Sequence, residues 1–190
     1  MVVLIARASR IVALGLLVAA LLAAPSTSHA RLTHEYDLEA AFLFHFAQFV
    51  QWPPSALPEK NTPLTIGILG EDPFGKSLDE IVANESVAGH KLLVRRFQRI
   101  SQADSCHILF VSSSEKGRLD QVLSRVKSRS VLTVGESKQF AQRSGMIGFV
   151  IADKRLRLAI NLAAANEAGL TISSKLLRQS EIVRPAREIE

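Results

Sequence analysis

Three consecutive serines, Ser112, Ser113 and Ser114, are the residues best suited to binding a ligand. They follow an apolar run that ends at Val111 and precede a helical pattern, which places them at a predicted helix N-terminus. Free N–H groups and the positive end of the helix dipole can hold a carboxylate or a phosphate there. Capping by Ser112, with Glu115 three residues later, explains the same pattern without a ligand. Both interpretations stay open.

Catalytic chemistry has little support in the sequence. A nucleophilic serine needs a nearby base and an orienting acid. The histidines of the predicted mature chain lie in neither a GxSxG nor an HExxH context. Cys106 and His107 are adjacent, but neighbours in a strand point to opposite faces, which disfavours a dyad. We therefore predict no catalytic residue, no metal site and no cofactor.

The segment Gly70–Gly75 is a second junction between a predicted strand and a predicted helix. It lacks the Lys-Ser/Thr pair and the glycine spacing of phosphate-binding loops. Two carboxylates, Glu71 and Asp72, would repel a phosphate. We predict instead that Asp72 caps the next helix and that Pro73 is its first residue.

Composition describes a single globular domain. The chain has 190 residues, of which 47% are hydrophobic and 22% charged, too much apolar material for disorder. The formal charge is +5, but the weak basic clusters have no interleaved aromatic residues that could stack on bases. Nucleic acid is therefore not an expected partner.

The N-terminus has the pattern of a secretory signal peptide. Arg7 and Arg10 precede a 14-residue apolar run, and Ser28-His29-Ala30 supplies small residues at a cleavage site. A retained membrane anchor is the alternative, but the run is shorter than the roughly 20 residues that span a bilayer. We predict a signal peptide at residues 1–30, a mature α/β domain at 31–184, a disordered tail at 185–190, and export to the periplasm.

The first predicted helix of the mature chain is Asp37–Val50, with Asp37 as its N-cap and Trp52-Pro53 after its end. Its apolar residues cover more than one face, so burying one face leaves another apolar surface. A helix enclosed in the core explains this pattern, and so does a helix that also binds another protein. We predict that the partner surface consists of Phe42, Phe46, Phe49 and Trp52, with the alternative that all four belong to the core.

The rest of the chain alternates between strands and helices. Predicted strands are 64–69, 92–97, 107–111 and 131–134, and predicted helices are 73–83, 115–126, 137–142, 162–168 and 173–179. Strands separated by helices require crossovers, which favours a mainly parallel sheet with helices on both faces. Segments 146–151 and 155–160 predict an antiparallel hairpin on the sheet edge. The predicted fold class is α/β.

A known family shows the same blocks in the same order. Ala40–Pro53 (AAFLFHFAQFVQWP) resembles the opening signature of the YfiR family, K-A-A-F-L-Y-N-F-A-K-F-V-x-W-P. Further blocks resemble the family at Ile68–Gly75, Cys106–Ser112, Val131–Gly135, Gly145–Val150 and Ile160–Leu177. The resemblance spans about residues 36–183.

The resemblance implies a non-enzymatic periplasmic regulator. It would bind and repress the periplasmic sensor domain of an inner-membrane diguanylate cyclase, lowering cyclic-di-GMP signalling and biofilm formation, and it would form a homodimer. Glu39 and His45 replace a usual Lys and Asn. Gly67 stands where many relatives carry a cysteine that could pair with the position of Cys106, so a redox-controlled bridge cannot form in this chain.

Two other functions stay open. A periplasmic module that binds a small molecule, of unknown identity, would use the crevice beside Ser112–Ser114. A hydrolase is the third class, and it would depend on Ser112 or Ser113.

Overall fold

A computed structural model describes residues 27–59, 61–127 and 129–184. The chain divides into two compact units, residues 1–34 and 35–190. Most of the predicted signal peptide and the predicted tail 185–190 lie outside the described residues. Among the described residues, no helix is long and apolar enough to cross a membrane.

The second unit is built on a mixed, mostly parallel sheet. Its strand order is β10-β8-β7-β6-β5-β2-β4-β3 within the described residues. The strands are β2 (Leu64–Leu69), β3 (Ser86–Val87), β4 (His90–Phe97), β5 (Ile108–Val111), β6 (Leu132–Gly135), β7 (Ile147–Ala152), β8 (Arg155–Ile160) and β10 (Glu181–Ile182). Neighbouring strands from β7 to β4 run parallel. The predicted α/β class and parallel sheet are confirmed.

Helices connect these strands. They are α1 (Thr27–Phe49), α2 (Lys76–Val82), α3 (Leu119–Val126), α4 (Lys138–Gln142), α5 (Leu162–Glu167) and α6 (Ser174–Leu177). Two 3-10 helices cover Ile100–Ser105 and Ser113–Arg118. A separate two-stranded sheet pairs β1 (Val50–Gln51) with β9 (Thr171–Ile172), which joins the end of α1 to the C-terminal part of the chain.

Apolar side chains on the two sides of the sheet form separate core clusters. The larger cluster combines α1 residues such as Leu43 and Phe46 with strand residues such as Ile66 and Phe110. The smaller cluster combines α3 with the alternate strand residues, for example Leu109. Alternation along each strand sends successive side chains to opposite faces. The predicted helix layers on both faces are therefore confirmed.

Helix α1 differs from its predicted start. It begins at Thr27, so the prediction of Asp37 as its N-cap is wrong. A polar residue before an apolar run is a cap only where the chain leaves helical geometry, and here the helix continues upstream. The predicted cleavage after Ala30 falls inside this helix, and cleavage stays a prediction.

The loop before α2 also differs from the prediction. Helix α2 begins at Lys76 with Gly75 as its N-cap, so Asp72 and Pro73 lie outside it. Asp72 still organises the loop, because its carboxylate accepts the Phe74 N–H at 2.8 Å. The Arg96 side chain on β4 donates to Asp72 at 2.7 Å. Asp72 therefore orders this loop and links it to β4.

Other predicted elements are confirmed with shifted ends. The helix predicted at 115–126 is a 3-10 turn to Arg118 followed by α3. Strands β7 and β8 form the predicted antiparallel hairpin, and the two-residue strand β10 pairs with the outer side of β8. Gly169, with φ +72, follows the C-cap of α5 in the left-handed conformation that commonly ends helices.

Candidate functional site

Helix α1 presents an aromatic stripe beside its buried face. Leu38, Phe42, His45 and Phe49 follow one another at spacings of four, three and four residues, which places them on one side of a helix. Leu38 is 42% exposed, and Phe42 and Phe49 are half-buried. Ring centroids of His45 lie 6.4 Å from Phe42 and 6.3 Å from Phe49. We call Leu38, Phe42, His45 and Phe49 the aromatic stripe.

Phe46 does not belong to the aromatic stripe. Its side chain has 0% exposure and stacks on the ring of Phe149 in β7, with centroids 5.9 Å apart. A residue with no exposed surface cannot contact a partner while the fold is intact. Among the four residues predicted for the partner surface, Phe46 is placed in the core, and we leave it out of the surface considered below.

Trp52 is half-buried and lies beyond the end of α1. Its indole N–H donates to the carbonyl oxygen of His107 at 3.3 Å, and its ring packs edge-on against the His107 ring. Phe49 has a charged neighbour, since the Lys175 ammonium lies 5.2 Å from its ring centroid. The predicted partner residues thus divide into a core residue, two residues of the stripe and one residue that anchors the following loop.

The serines predicted to bind a ligand lie where the strand order reverses, at the carboxyl ends of β2 and β5. Internal contacts occupy them. The Ser112 hydroxyl oxygen accepts the Ser114 N–H at 3.4 Å, and the Ser114 hydroxyl accepts the Glu71 N–H at 3.0 Å. A Cβ on Gly70 would collide with the Ser114 hydroxyl. The Ser112 and Ser114 hydroxyls are therefore engaged in hydrogen bonds within the chain.

The Ser113 N–H already holds an anion. It donates to Oε2 of Glu136 at 2.6 Å, and Oε1 of the same carboxylate accepts the Tyr36 hydroxyl at 3.1 Å. The expected carboxylate at the helix N-terminus is thus a residue of this chain. Ser112 has its predicted capping role, while Glu115 pairs with Arg118 at 2.8 Å rather than reaching back.

A cleft that the sequence did not predict opens beside this contact. Its volume is about 460 Å³, and it lies between residues 35–39 in the middle of α1, the β6–α4 loop with the start of α4, and β7. Glu39 lines it, is 5% exposed, and leaves Oε2 without a hydrogen-bond partner among the described residues. Burial, with Glu136 and Glu35 nearby, raises the pKa of Glu39 to about 8. The one available signal was Glu39 at a position where the resembled family carries Lys.

The opposite end of the sheet has a second cleft, of about 530 Å³, lined by Cys106 and His107 among others. Nδ1 of His107 accepts the Thr65 N–H at 3.0 Å, so Nε2 carries the proton and donates to the Ala56 carbonyl at 3.2 Å. The Cys106 thiol is buried and lies 3.1 Å from the Ala103 carbonyl. His107 links a loop to β2, Cys106 contacts the 3-10 helix before it, and these hydrogen bonds do not join the two side chains in a Cys-His dyad.

The described part of the chain shows no arrangement of side chains suited to binding a metal ion. No group of three His, Cys, Asp or Glu residues there is placed to hold a metal ion. The features that remain are an aromatic stripe and a cleft with a buried carboxyl.

Comparison with known proteins agrees with the resemblance seen in the sequence. The family model described as YfiR/HmsC-like matches residues 36–181, and the chain belongs to this family. The family is regulatory rather than catalytic. A search of curated proteins finds no match.

Among solved structures, one similar protein is the ABC domain from Streptococcus pneumonia in complex with L-Trp. It shares 15% sequence identity with this chain at a TM-score of 0.48. The match covers 63% of this chain and 55% of the other, so the chain spans about half of that structure. A likeness of this size supports no inference about the ligand.

Proposed function

We propose that this protein is a non-enzymatic regulator of the periplasm that binds the sensor domain of an inner-membrane diguanylate cyclase and represses it. Membership of the YfiR/HmsC-like family supports the regulatory role. The export pattern of residues 1–30 supports the location. Repression of the cyclase would lower cyclic-di-GMP and biofilm formation.

The aromatic stripe on α1 is the observation that carries the proposal. Single exposed apolar residues are common on protein surfaces, but contiguous apolar patches mark interaction sites. Phe42 and Phe49 lie on a different side of the helix from the fully buried Leu43 and Phe46. The helix therefore contributes one side to the core and keeps a second apolar side. Aromatic residues are enriched at the energetic centres of protein interfaces.

Deletion of the gene tests the proposal in cells. We expect the cyclic-di-GMP level to rise, and re-expression of the wild-type protein to restore it. Re-expression of Phe42→Ala with Phe49→Ala should fail to restore it at equal protein level. The matched control is Leu93→Ala, which removes an exposed apolar side chain on β4, away from α1. An unchanged cyclic-di-GMP level on deletion of an expressed gene would contradict the proposal.

A homodimer is part of the same proposal. Sedimentation of the purified chain measures its mass in solution directly. Fractionation of cells, with detection of the protein in the periplasmic fraction, tests the proposed location. Detection only in the cytoplasm would contradict it.

A further inference from the structure

The cleft beside α1 is lined by several acidic residues. Its lining includes Tyr36, Glu39, Glu136, Lys138 and Phe149. The volume of about 460 Å³ lies within the range of sites for small molecules. None of the four residues of the aromatic stripe lines it, although its lining residue Phe149 lies 6.3 Å from Phe42 between ring centroids.

Charges on every side of the cleft can be assigned. Glu35 and Glu39 come from α1, Glu136 from the loop after β6, and Lys138 from α4. The Lys138 ammonium pairs with Glu181 of β10 at 2.5 Å. Glu136 is fixed by two hydrogen bonds, from Tyr36 and Ser113. A rigid carboxylate and a buried carboxyl therefore share one cleft.

Glu39 is the group that the fold leaves unsatisfied. It is 5% exposed, and its Oε2 has no hydrogen-bond partner among the described residues. Burying a carboxyl group without a partner destabilises a protein, and such groups in native structures call for an explanation. A cation that enters from the cleft would supply the missing partner.

We propose that this cleft binds an organic cation, an ammonium or guanidinium group that forms an ion pair with Glu39. The neighbouring Glu136 adds negative charge, and the half-buried ring of Tyr36 offers aromatic surface to the alkyl part of the ligand and to the cation itself. A metal ion is disfavoured because the described residues place no three suitable ligands together.

Proton linkage follows from the same geometry. The cation pairs with the ionised form of Glu39, whose pKa in the free protein is raised to about 8. Below that pH the carboxyl must release a proton when the cation binds. Affinity should therefore fall about tenfold for each pH unit below 8, until the carboxyl's pKa in the complex is reached.

Two sources can supply the cation: a free small amine, or a lysine or arginine side chain of a partner protein. Isothermal titration calorimetry with agmatine tests the first source, because agmatine carries an ammonium and a guanidinium group and no carboxylate. We expect a dissociation constant on the order of 1 mM or tighter. Titrations in two buffers of different ionisation enthalpy should show proton release at pH 7 and little at pH 9, and this readout needs no variant.

The variant Glu39→Gln keeps the shape of the side chain and removes its charge, and it should weaken agmatine binding at least tenfold. Asp153→Asn is the matched control, since the Asp153 side chain is 84% exposed in the β7–β8 turn. Circular dichroism establishes that both variants are folded. Binding that is equally strong in Glu39→Gln would overturn the proposal.

The second source is tested with the purified cyclase sensor domain, and this arm alone rests on the proposed function. Agmatine binding that depends on Glu39 supports a free amine. No agmatine binding, but a tenfold loss of sensor-domain binding in Glu39→Gln, supports a side chain of the partner. If neither binding depends on Glu39, the cation site is excluded, while sensor-domain binding by the wild type would still uphold the proposed function.

Discussion

Gly67 in β2 lies beside Cys106, which comes two residues before the neighbouring strand β5. A Cβ placed on Gly67 would be 3.2 Å from the Cβ of Cys106, close to the separation found in disulfides. The same Cβ would be 2.7 Å from Cε2 of Phe97. The resembled relatives with cysteine at this position would thus have two thiols in reach of each other, whereas this chain has one.

Substitution Gly67→Cys should allow an intramolecular disulfide with Cys106. Closing a loop of about 40 residues stabilises by about 4 kcal/mol in the chain-entropy model, offset by about 1–3 kcal/mol for displacing the Phe97 ring. Chemical denaturation with and without reductant measures the difference. The control Gly67→Ser adds a side chain of similar size without a thiol and should only destabilise. Two thiols that stay reactive after oxidation would contradict the prediction.

Phe46→Ala and Phe42→Ala should separate core from surface. Phe46 is fully buried, so its truncation should lower the free energy of unfolding by about 3–5 kcal/mol. Phe42 is half-buried. Its truncation should therefore cost less stability and should weaken binding of the partner. Urea denaturation and binding of the sensor domain give the two readouts. Equal stability losses in the two variants would place Phe42 in the core as well.

Acid should destabilise the protein through His107. Burial lowers the pKa of His107 below its ordinary value, and Nδ1 must stay unprotonated to accept the Thr65 N–H. The unfolded chain takes up a proton as pH falls below about 6.5, but the folded protein does not. The contribution of His107 to the free energy of unfolding should therefore fall between pH 7 and pH 5, until the folded pKa is passed, whereas Glu39 contributes in the opposite direction over the same range.

The variant His107→Asn tests this dependence. It keeps an acceptor for Thr65, loses the bond to Ala56 and should cost about 1 kcal/mol at pH 8. Relative to the wild type, it should become more stable as the pH falls from 7 to 5, because only the His107 contribution is removed. His45→Asn, at an exposed position, should keep the wild-type dependence. A wild-type acid profile in His107→Asn would exclude His107 as the cause.

A rise in pH from about 4.5 to 8 should destabilise the protein through Glu39. Its folded pKa is raised to about 8 from an ordinary value of 4.5. The stabilisation is complete below pH 4.5 and is lost as pH rises toward 8, by up to about 1.4 kcal/mol per pH unit. Glu39→Gln cannot ionise, so it should unfold at a higher denaturant concentration than the wild type at pH 8. The two proteins should converge near pH 5, and a constant difference would contradict this assignment.

Local patterns in the sequence identified most strands because each buries alternate or continuous apolar residues. Strand β2 matches its predicted bounds, and the predicted Ser112 cap is present. The start of α1 was missed because a cap motif at Asp37 does not show whether the upstream chain is already helical. The prediction of Asp72 as a helix cap was wrong for a related reason. Its carboxylate orders a loop and accepts a hydrogen bond from Arg96 of β4, which is distant in sequence.

The sequence by itself determined the order of strands and helices, the crossover connections and therefore the parallel sheet, because these depend on the period of apolar residues along the chain. It also determined that one helix has more apolar surface than one core requires. Only the tertiary structure decided which aromatic side chains are buried, how Glu136 fills the anion position at Ser113, and that Glu39 is left without a partner. These depend on residues distant in sequence, and no local pattern records which of them meet across the sheet.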